Sequence, residues 1–298
     1  MADNITTAAE DNLIVADDMK RVREQDFVRR FEHHSLKKLL EAIGVTRRIP
    51  MMEGTTLYSY TTSGTLQNGA VPEGEVIPLS EYEQVKTPVG AISLKKWRKA
   101  VSAESIKKSG YQAAVRETDE ALLRDVQADV RNDLFGFING AITGATSVTG
   151  SDLQSALAAA WGQLQIKFED DSIEPVYFIN PLDAATYLAN ASITTQQAFG
   201  MTYIEDFLGL GTVIISSKIT QGTFVATAKQ NFIMYYLTMG GDIARAFKLT
   251  TSDDLQYIGI NSGIMNGDRA QIESLVMDGI QILVEYAAGV VKGTITGA

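Results

Sequence analysis

The stretch TLYSYTTSGTLQNGAVPEGEVIPLSEYEQVKTPVGAISLKKW, Thr56 to Trp97, governs how the rest of the chain is read. Thr56-Leu57-Tyr58-Ser59-Tyr60 alternates in the two-residue period of a strand. Turn formers then crowd together at Gly64, Asn68-Gly69, Pro72, Gly74 and Pro78, with Pro88-Val89-Gly90 before Ala91 to Trp97. Asn-Gly is a tight-turn signal, and its flanks are rich in β-formers. Between Pro50 and Ala100 the pattern predicts two long antiparallel strands joined by a broad, turn-rich tip. A two-stranded ribbon with little apolar surface is marginal in water, so it needs something to lie on.

On the C-terminal side, Ser102 to Gly110 predicts a short helix closed by its glycine, and Tyr111 to about Asn139 gives the longest helical signal. Val115, Leu122, Val126, Val130, Leu134 and Ile138 form one stripe, while Asp119, Glu120, Asp125, Asp129 and Asp133 mark the polar side. At about 1.5 Å per residue this spine is about 40 Å long. A Gly/Thr/Ser loop, Gly140 to Gly150, leads to Ser151-Asp152-Leu153-Gln154, where Ser and Gln have capping-box spacing. Leu153, Leu157, Trp161, Leu164 and Phe168 predict an amphipathic helix. A strand at Val176–Ile179 runs into a helix capped by Asn180, with Pro181 in its first turn. Strands at Thr212–Ser216, Thr223–Ala226 and Ile233–Leu237 complete a compact α/β unit. After it come an Asn266-Gly267 turn, an apolar run Leu275–Tyr286, a break at Ala288-Gly289 and a last strand Val290–Ile295, with no internal repeat.

On the N-terminal side, Asp17 to Gly44 places Met19, Val22, Phe27, Phe31, Leu36, Leu39 and Leu40 near helical spacing among basic residues. These include Arg29, Arg30, Lys37 and Lys38. The arm is basic on an acidic protein, which calls for an acidic neighbour, scaffold or nucleic acid, or else a solvated face of its own subunit.

The 298 residues fit one large domain or two intimate ones. With no cysteine, disulfides, thiolate metal sites and thiol catalysis are excluded. A net charge of −10 opposes phosphate-driven nucleic-acid binding. There is no apolar run of membrane-spanning length and no secretory layout at Met1–Glu10, so the expectation is a protein made in the cytoplasm. The two histidines, His33 and His34, are adjacent and diverge by about 100° on a helix, so they cannot share a metal or nucleophile. Gly209-Leu210-Gly211 lacks a third glycine and precedes a strand, the wrong order for a dinucleotide loop. Glu169-Asp170-Asp171 is the best cation candidate and Asp253-Asp254 a weaker one, but consecutive acids usually splay into solvent. The sequence offers no positive sign of catalysis, cofactor or metal.

Basic residues concentrate at Lys86, Lys95, Lys96, Arg98, Lys99, Lys107 and Lys108, with Trp97 among them. Glu73, Glu75, Glu81 and Glu83 lie on the opposing limb and tip. Pairing between subunits explains both clusters more economically than a nucleic-acid groove. The sharper expectation is a latch in which Lys95, Lys96, Arg98 and Lys99, on one ribbon limb, meet the spine acids of the next subunit.

In this order of parts the chain resembles the major capsid proteins of tailed bacteriophages, with the Hong Kong 97 capsid fold. The ending VEYAAGVVKGTI, Val284 to Ile295, is similar to the family's closing strand. GEVIPLSEYEQVKTPVGAISLKKWRKAVSAESI (Gly74–Ile106), VYFINPLDAATYL (Val176–Leu188) and MTYIEDFLGLGTVI (Met201–Ile214) resemble the branch in phages of Gram-positive hosts. The resemblance implies an α+β chain: N-terminal arm 1–50, extended loop 51–100, peripheral domain with the spine 101–149, axial domain 150–241 and peripheral C-terminal strands 242–298. It further implies a non-enzymatic subunit that forms hexamers and pentamers of an icosahedral shell around double-stranded DNA, without sequence-specific contact. No long pro-segment precedes the arm, which favours a separate scaffolding protein, beside a portal. Assembly in the host cytoplasm and location in the virion follow. An encapsulin, which shares the fold and loads an enzyme, is the alternative, and a soluble α/β enzyme the remoter one.

Overall fold

The computed structural model describes residues 24–29, 37–140, 142, 144–169, 172–188, 195–198, 201–251 and 256–297. The chain divides into two compact units, each discontinuous in sequence: residues 1–31, 96–123 and 239–278 in the first, and 32–95, 124–238 and 279–298 in the second.

The second unit is built on a seven-stranded mixed sheet in the order Thr146–Gly150, Val290–Ile295, Thr223–Ala228, Pro175–Ile179, Thr212–Ile215, Met201–Ile204, Gln196–Ala198. Every residue of Pro175–Ile179 and Thr212–Ile215 is buried, as expected of central parallel neighbours covered on both faces. Helix Leu153–Lys167 closes one face through Leu153, Ala156, Leu157, Ala160 and Leu164. On the other, Phe135 and Phe232 meet Phe178 edge-on, with centroids 6.0 and 5.9 Å away. The helix N-cap is Asp152, one residue beyond the expected Ser151: its Oδ1 accepts from Ser155 N at 2.8 Å, and Ser155 Oγ accepts from Asp152 N at 3.1 Å. Asn180 caps the next helix, Pro181–Leu188, as expected, its Oδ1 accepting from Leu182 N at 2.9 Å.

Two features depart from the sequence reading. Gly140–Gly150 was expected as a loop, yet its second half is the strand Thr146–Gly150, parallel to Val290–Ile295. The apolar run Leu275–Tyr286 is not one element. It divides at Gly279 into Gln271–Asp278, in the first unit, and Ile280–Val284, which pairs with Phe232–Leu237 in a three-stranded sheet with Arg47–Met51. A Cβ at Gly279 would lie 2.6 Å from Leu237 Cδ1, so the crossover requires glycine.

The first unit contains a four-stranded sheet, Thr250–Thr251, Ile258–Asn266, Gln271–Asp278 and Lys95–Ser102. Its central hairpin turns at Gly267–Arg269, where the Asn266-Gly267 signal lies. Ser102 Oγ accepts from Ser105 N at 3.2 Å and caps the helix Ala103–Tyr111. A π-helical stretch, Gln112–Glu117, then joins the spine helix Thr118–Asn139. The expected stripe is found: Val115, Val126, Val130, Leu134 and Ile138 are buried, and only Leu122 is partly exposed.

Candidate assembly surfaces

The ribbon consists of Thr56–Thr65 and Glu81–Ala91, paired antiparallel from Thr56↔Ala91 to Thr65↔Glu81, with a bulge between Leu57 and Tyr58. Its base is fixed in the second unit. Leu57 and Ile92 are buried, Ser59 Oγ donates to Glu285 O at 2.8 Å, Tyr60 N donates to the same carbonyl at 3.1 Å, and Arg47 pairs with the Glu285 carboxylate. Beyond the base the ribbon stands in solvent on both faces. Glu81–Thr87 are all exposed, and the tip carries Val76, Ile77 and Leu79 at 91%, 71% and 93% exposure. Apolar side chains so fully exposed in one loop mark an interaction site. Glu73, Glu75, Glu81 and Glu83 flank them, all exposed. The sequence held the signal for this tip in Val76-Ile77-Pro78-Leu79, an apolar run inside a turn-rich loop.

The basic cluster is placed differently from the expectation. Lys95, Lys96, Arg98 and Lys99 lie not on a ribbon limb but on the next strand, Lys95–Ser102, in another sheet. Lys95 Nζ sits between the Asp129 and Asp133 carboxylates of its own chain. Burial pushes the Lys95 ammonium down, but its hydrogen bonds and attraction to Asp129 and Asp133 outweigh that and hold it above the ordinary lysine value. Lys99 Nζ donates to Thr118 Oγ1 at 2.8 Å, to Val115 O at 3.1 Å and to the buried Asp119 carboxylate, again within the chain. The expected latch onto a neighbour's spine is therefore corrected for these two lysines: nearby carboxylates of the same chain already neutralise them. Trp97 is partly buried, Arg98 is largely exposed 3.9 Å from Glu273, and Lys96, Glu120 and Asp125 are exposed.

The N-terminal arm is also partly occupied by its own chain. In the helical stretch 24–29 Phe27 and Val28 are buried and Arg29 is exposed. The buried Glu24 carboxylate accepts from Ser262 N at 2.6 Å, Ser262 Oγ at 3.0 Å and Thr250 Oγ1 at 2.5 Å. Ser262 borders the bulge in its strand, beside Gly263 at φ 75°, which frees its N–H for this role. Helix Lys37–Ile43 buries Leu39, Leu40 and Ile43 in the second unit. These apolar side chains of the arm are thus packed within their own chain. Arg30, His33, His34 and the pairs Asp170-Asp171 and Asp253-Asp254 lie outside the described residues, as do the side chains of Lys37 and Lys38.

The closing motif Val290–Ile295 has a physical reason for its residues. Lys292 Nζ caps the end of the spine helix, donating to Asn139 O at 3.3 Å and to Gly140 O, and burial pushes its ammonium below the ordinary lysine value. A Cβ at Gly293 would lie 2.1 Å from the Phe224 ring. Asn231 grips the preceding turn: its Nδ2 donates to Tyr286 O at 2.9 Å and its Oδ1 accepts from Tyr286 N at 2.8 Å. Nothing local in the sequence singled out Asn231, whose partner lies 55 residues away.

Among the described residues no group of three His, Cys, Asp or Glu could hold a metal ion, and no helix is long and apolar enough to cross a membrane.

No family model matches the chain, and no curated protein matches it by sequence. The fold, by contrast, is that of known shell subunits. The capsid of Myoviridae phage XM1 aligns over 96% of this chain and 100% of its own at a TM-score of 0.55 and 9% identity. The capsid of cyanophage P-SCSP1u aligns over 89% of each chain at 0.53 and 9% identity. The SrpI encapsulin of Synechococcus elongatus aligns over 88% of each at 0.50 and 10% identity. The chain has the α+β Hong Kong 97-type capsid fold.

Proposed function

We propose that this protein is the major capsid protein of a tailed bacteriophage, a structural subunit without catalytic activity that assembles into the hexamers and pentamers of an icosahedral head. The observation that carries the reading is the ribbon. In a chain with a shell-subunit fold, two long strands leave their base and end in a tip whose Val76, Ile77 and Leu79 are largely exposed. A monomer gains nothing from such a tip, while an assembly covers it. The head encloses double-stranded DNA without reading its sequence; a net charge of −10 suits a wall along which DNA must slide. A scaffolding protein and a portal complete assembly, in the host cytoplasm.

Sedimentation and electron microscopy of the purified chain across concentration and salt test this. Capsomer rings or closed shells are expected, and a monomer under every condition refutes the reading. The likeness to the SrpI encapsulin supports a second reading, a shell loaded with protein. Nuclease-protected DNA inside particles from the native source decides for the phage head, and a co-purifying protein cargo without DNA decides for the nanocompartment.

A further inference from the structure

Asn-Gly occurs three times in the chain, at Asn68-Gly69, Asn139-Gly140 and Asn266-Gly267. Besides its turn preference the pair has a chemistry of its own. The backbone nitrogen of the glycine can attack the asparagine Cγ and close a succinimide ring, while the bond from Cγ to Nδ2 breaks and Nδ2 leaves as ammonia, carrying the lost amide proton. Water then opens either carbonyl of the ring. One opening leaves aspartate; the other leaves isoaspartate, in which the backbone runs through the former side chain. Glycine permits the attack because no side chain crowds its nitrogen.

The fold separates the three pairs. At the end of the spine helix, the nucleophile and the leaving group of Asn139-Gly140 are both engaged. Gly140 N donates to Gly136 O at 3.1 Å and to Phe137 O at 3.2 Å, and Asn139 Nδ2 donates to Lys218 O at 2.8 Å. Ring closure there requires these bonds to break. Asn266 ends the strand Ile258–Asn266 opposite Gln271, so its backbone is held in the hairpin register. Asn68-Gly69, in the ribbon loop, has none of these restraints. Both residues are exposed, Gly69 N donates to no group among the described residues, and a Cβ at Gly69 would meet nothing within 4 Å. One bond is present, and it favours the reaction. Ala70 N donates to Asn68 Oδ1 at 3.0 Å, an Asx turn that folds the side-chain carbonyl back over its own backbone. As Gly69 N attacks, negative charge grows on that oxygen, where the Ala70 N–H already lies.

We propose that Asn68-Gly69 is a self-modification site, at which the folded subunit converts Asn68 to aspartate and isoaspartate through a succinimide, with water as the only co-reactant. Conversion adds a negative charge beside Glu73 and Glu75, and isoaspartate also reroutes the loop backbone. On the assembly reading, which this consequence rests on, subunits left unassembled lose their competence as Asn68 converts.

Peptide mass spectrometry of the purified chain, held at mildly alkaline pH and sampled over time, tests the chemistry. Parallel samples are native and unfolded in guanidinium, so that each asparagine is compared with itself. Asn68 is expected to convert in the native chain at least as fast as in the unfolded one, to both products. Asn139 should be slowed by folding at least about tenfold, and Asn266 should convert more slowly than Asn68 in the native chain. A native Asn68 protected as strongly as Asn139, or an Asn139 that converts natively as fast as when unfolded, overturns the proposal. For the consequence, fresh and aged wild type are compared in particle yield with fresh and aged Asn68→Gln. Aged wild type should lose yield and aged Asn68→Gln should keep it. Equal losses overturn the consequence and leave the modification site standing, and a fresh wild-type chain that never associates overturns the assembly reading instead.

Discussion

The strand Phe232–Leu237 and the ribbon strand Glu81–Ala91 are both rich in β-formers, yet they have opposite surroundings. All six residues of the first are buried, while ten of the eleven in the second are exposed and none is buried. The first has strand partners on both sides, Arg47–Met51 and Ile280–Val284; the second has one partner and solvent elsewhere. The α/β core is stabilised by its own chain, and removing a side chain from it should damage the subunit. The ribbon draws little from its own chain, so changes there should spare the subunit and fall on the assembly.

The largest expected effect breaks the core side of this comparison. Phe178→Ala removes a fully buried ring held between Phe135 and Phe232 and should cost about 3 to 5 kcal/mol in urea unfolding of the unassembled subunit. Next comes Asp119→Ala, which strips the carboxylate from Lys99 where both side chains are mostly buried, 15% and 12% exposed. A loss of about 3 kcal/mol is expected by the same measurement, since an uncompensated ammonium would be left behind.

Lys95 should matter less. Its carboxylate partners Asp129 and Asp133 are 37% and 35% exposed, so solvent screening reduces the pair's worth, and Lys95→Met should cost about 1 kcal/mol. Its folded pKa is raised above the ordinary 10.5. The ammonium's contribution is therefore complete well below that value and is lost as pH rises through the folded value. The stability gap between wild type and Lys95→Met should accordingly hold below about pH 10 and narrow only as pH rises beyond about 10.5.

The smallest expected effect on the subunit sharpens the other side. Val76→Ser, Ile77→Ser and Leu79→Ser together should change unfolding free energy by less than about 0.5 kcal/mol, because these side chains bury little surface in their own chain. The same variant should lose most of its particle yield in sedimentation. A tip variant that destabilises the subunit as much as Phe178→Ala would erase the distinction between the two regions.

What was legible in the sequence was local. The spine stripe, the Asn180 cap, the ribbon strands and the core strands follow from periodicity and end signals, which depend on neighbours within a few residues. Even the one-residue displacement of the cap from Ser151 to Asp152 stays within the reach of such signals, since both residues are able caps.

The tertiary structure decided what depends on strand order and on distant partners. Thr146–Gly150 is a short, mostly polar segment, and it becomes a strand because Val290–Ile295 lies beside it. The run Leu275–Tyr286 reads as one apolar element, and only the approach of Leu237 to Gly279 shows that it changes sheets there. Lys95 and Lys99 could have met spine acids of any copy by charge alone. The sheet that takes up Lys95–Ser102 puts them within reach of Asp129, Asp133 and Asp119 of their own chain. Charge is written in the sequence, but which opposite charge comes within hydrogen-bond distance is set by how non-local strands pair, and that pairing is a property of the fold.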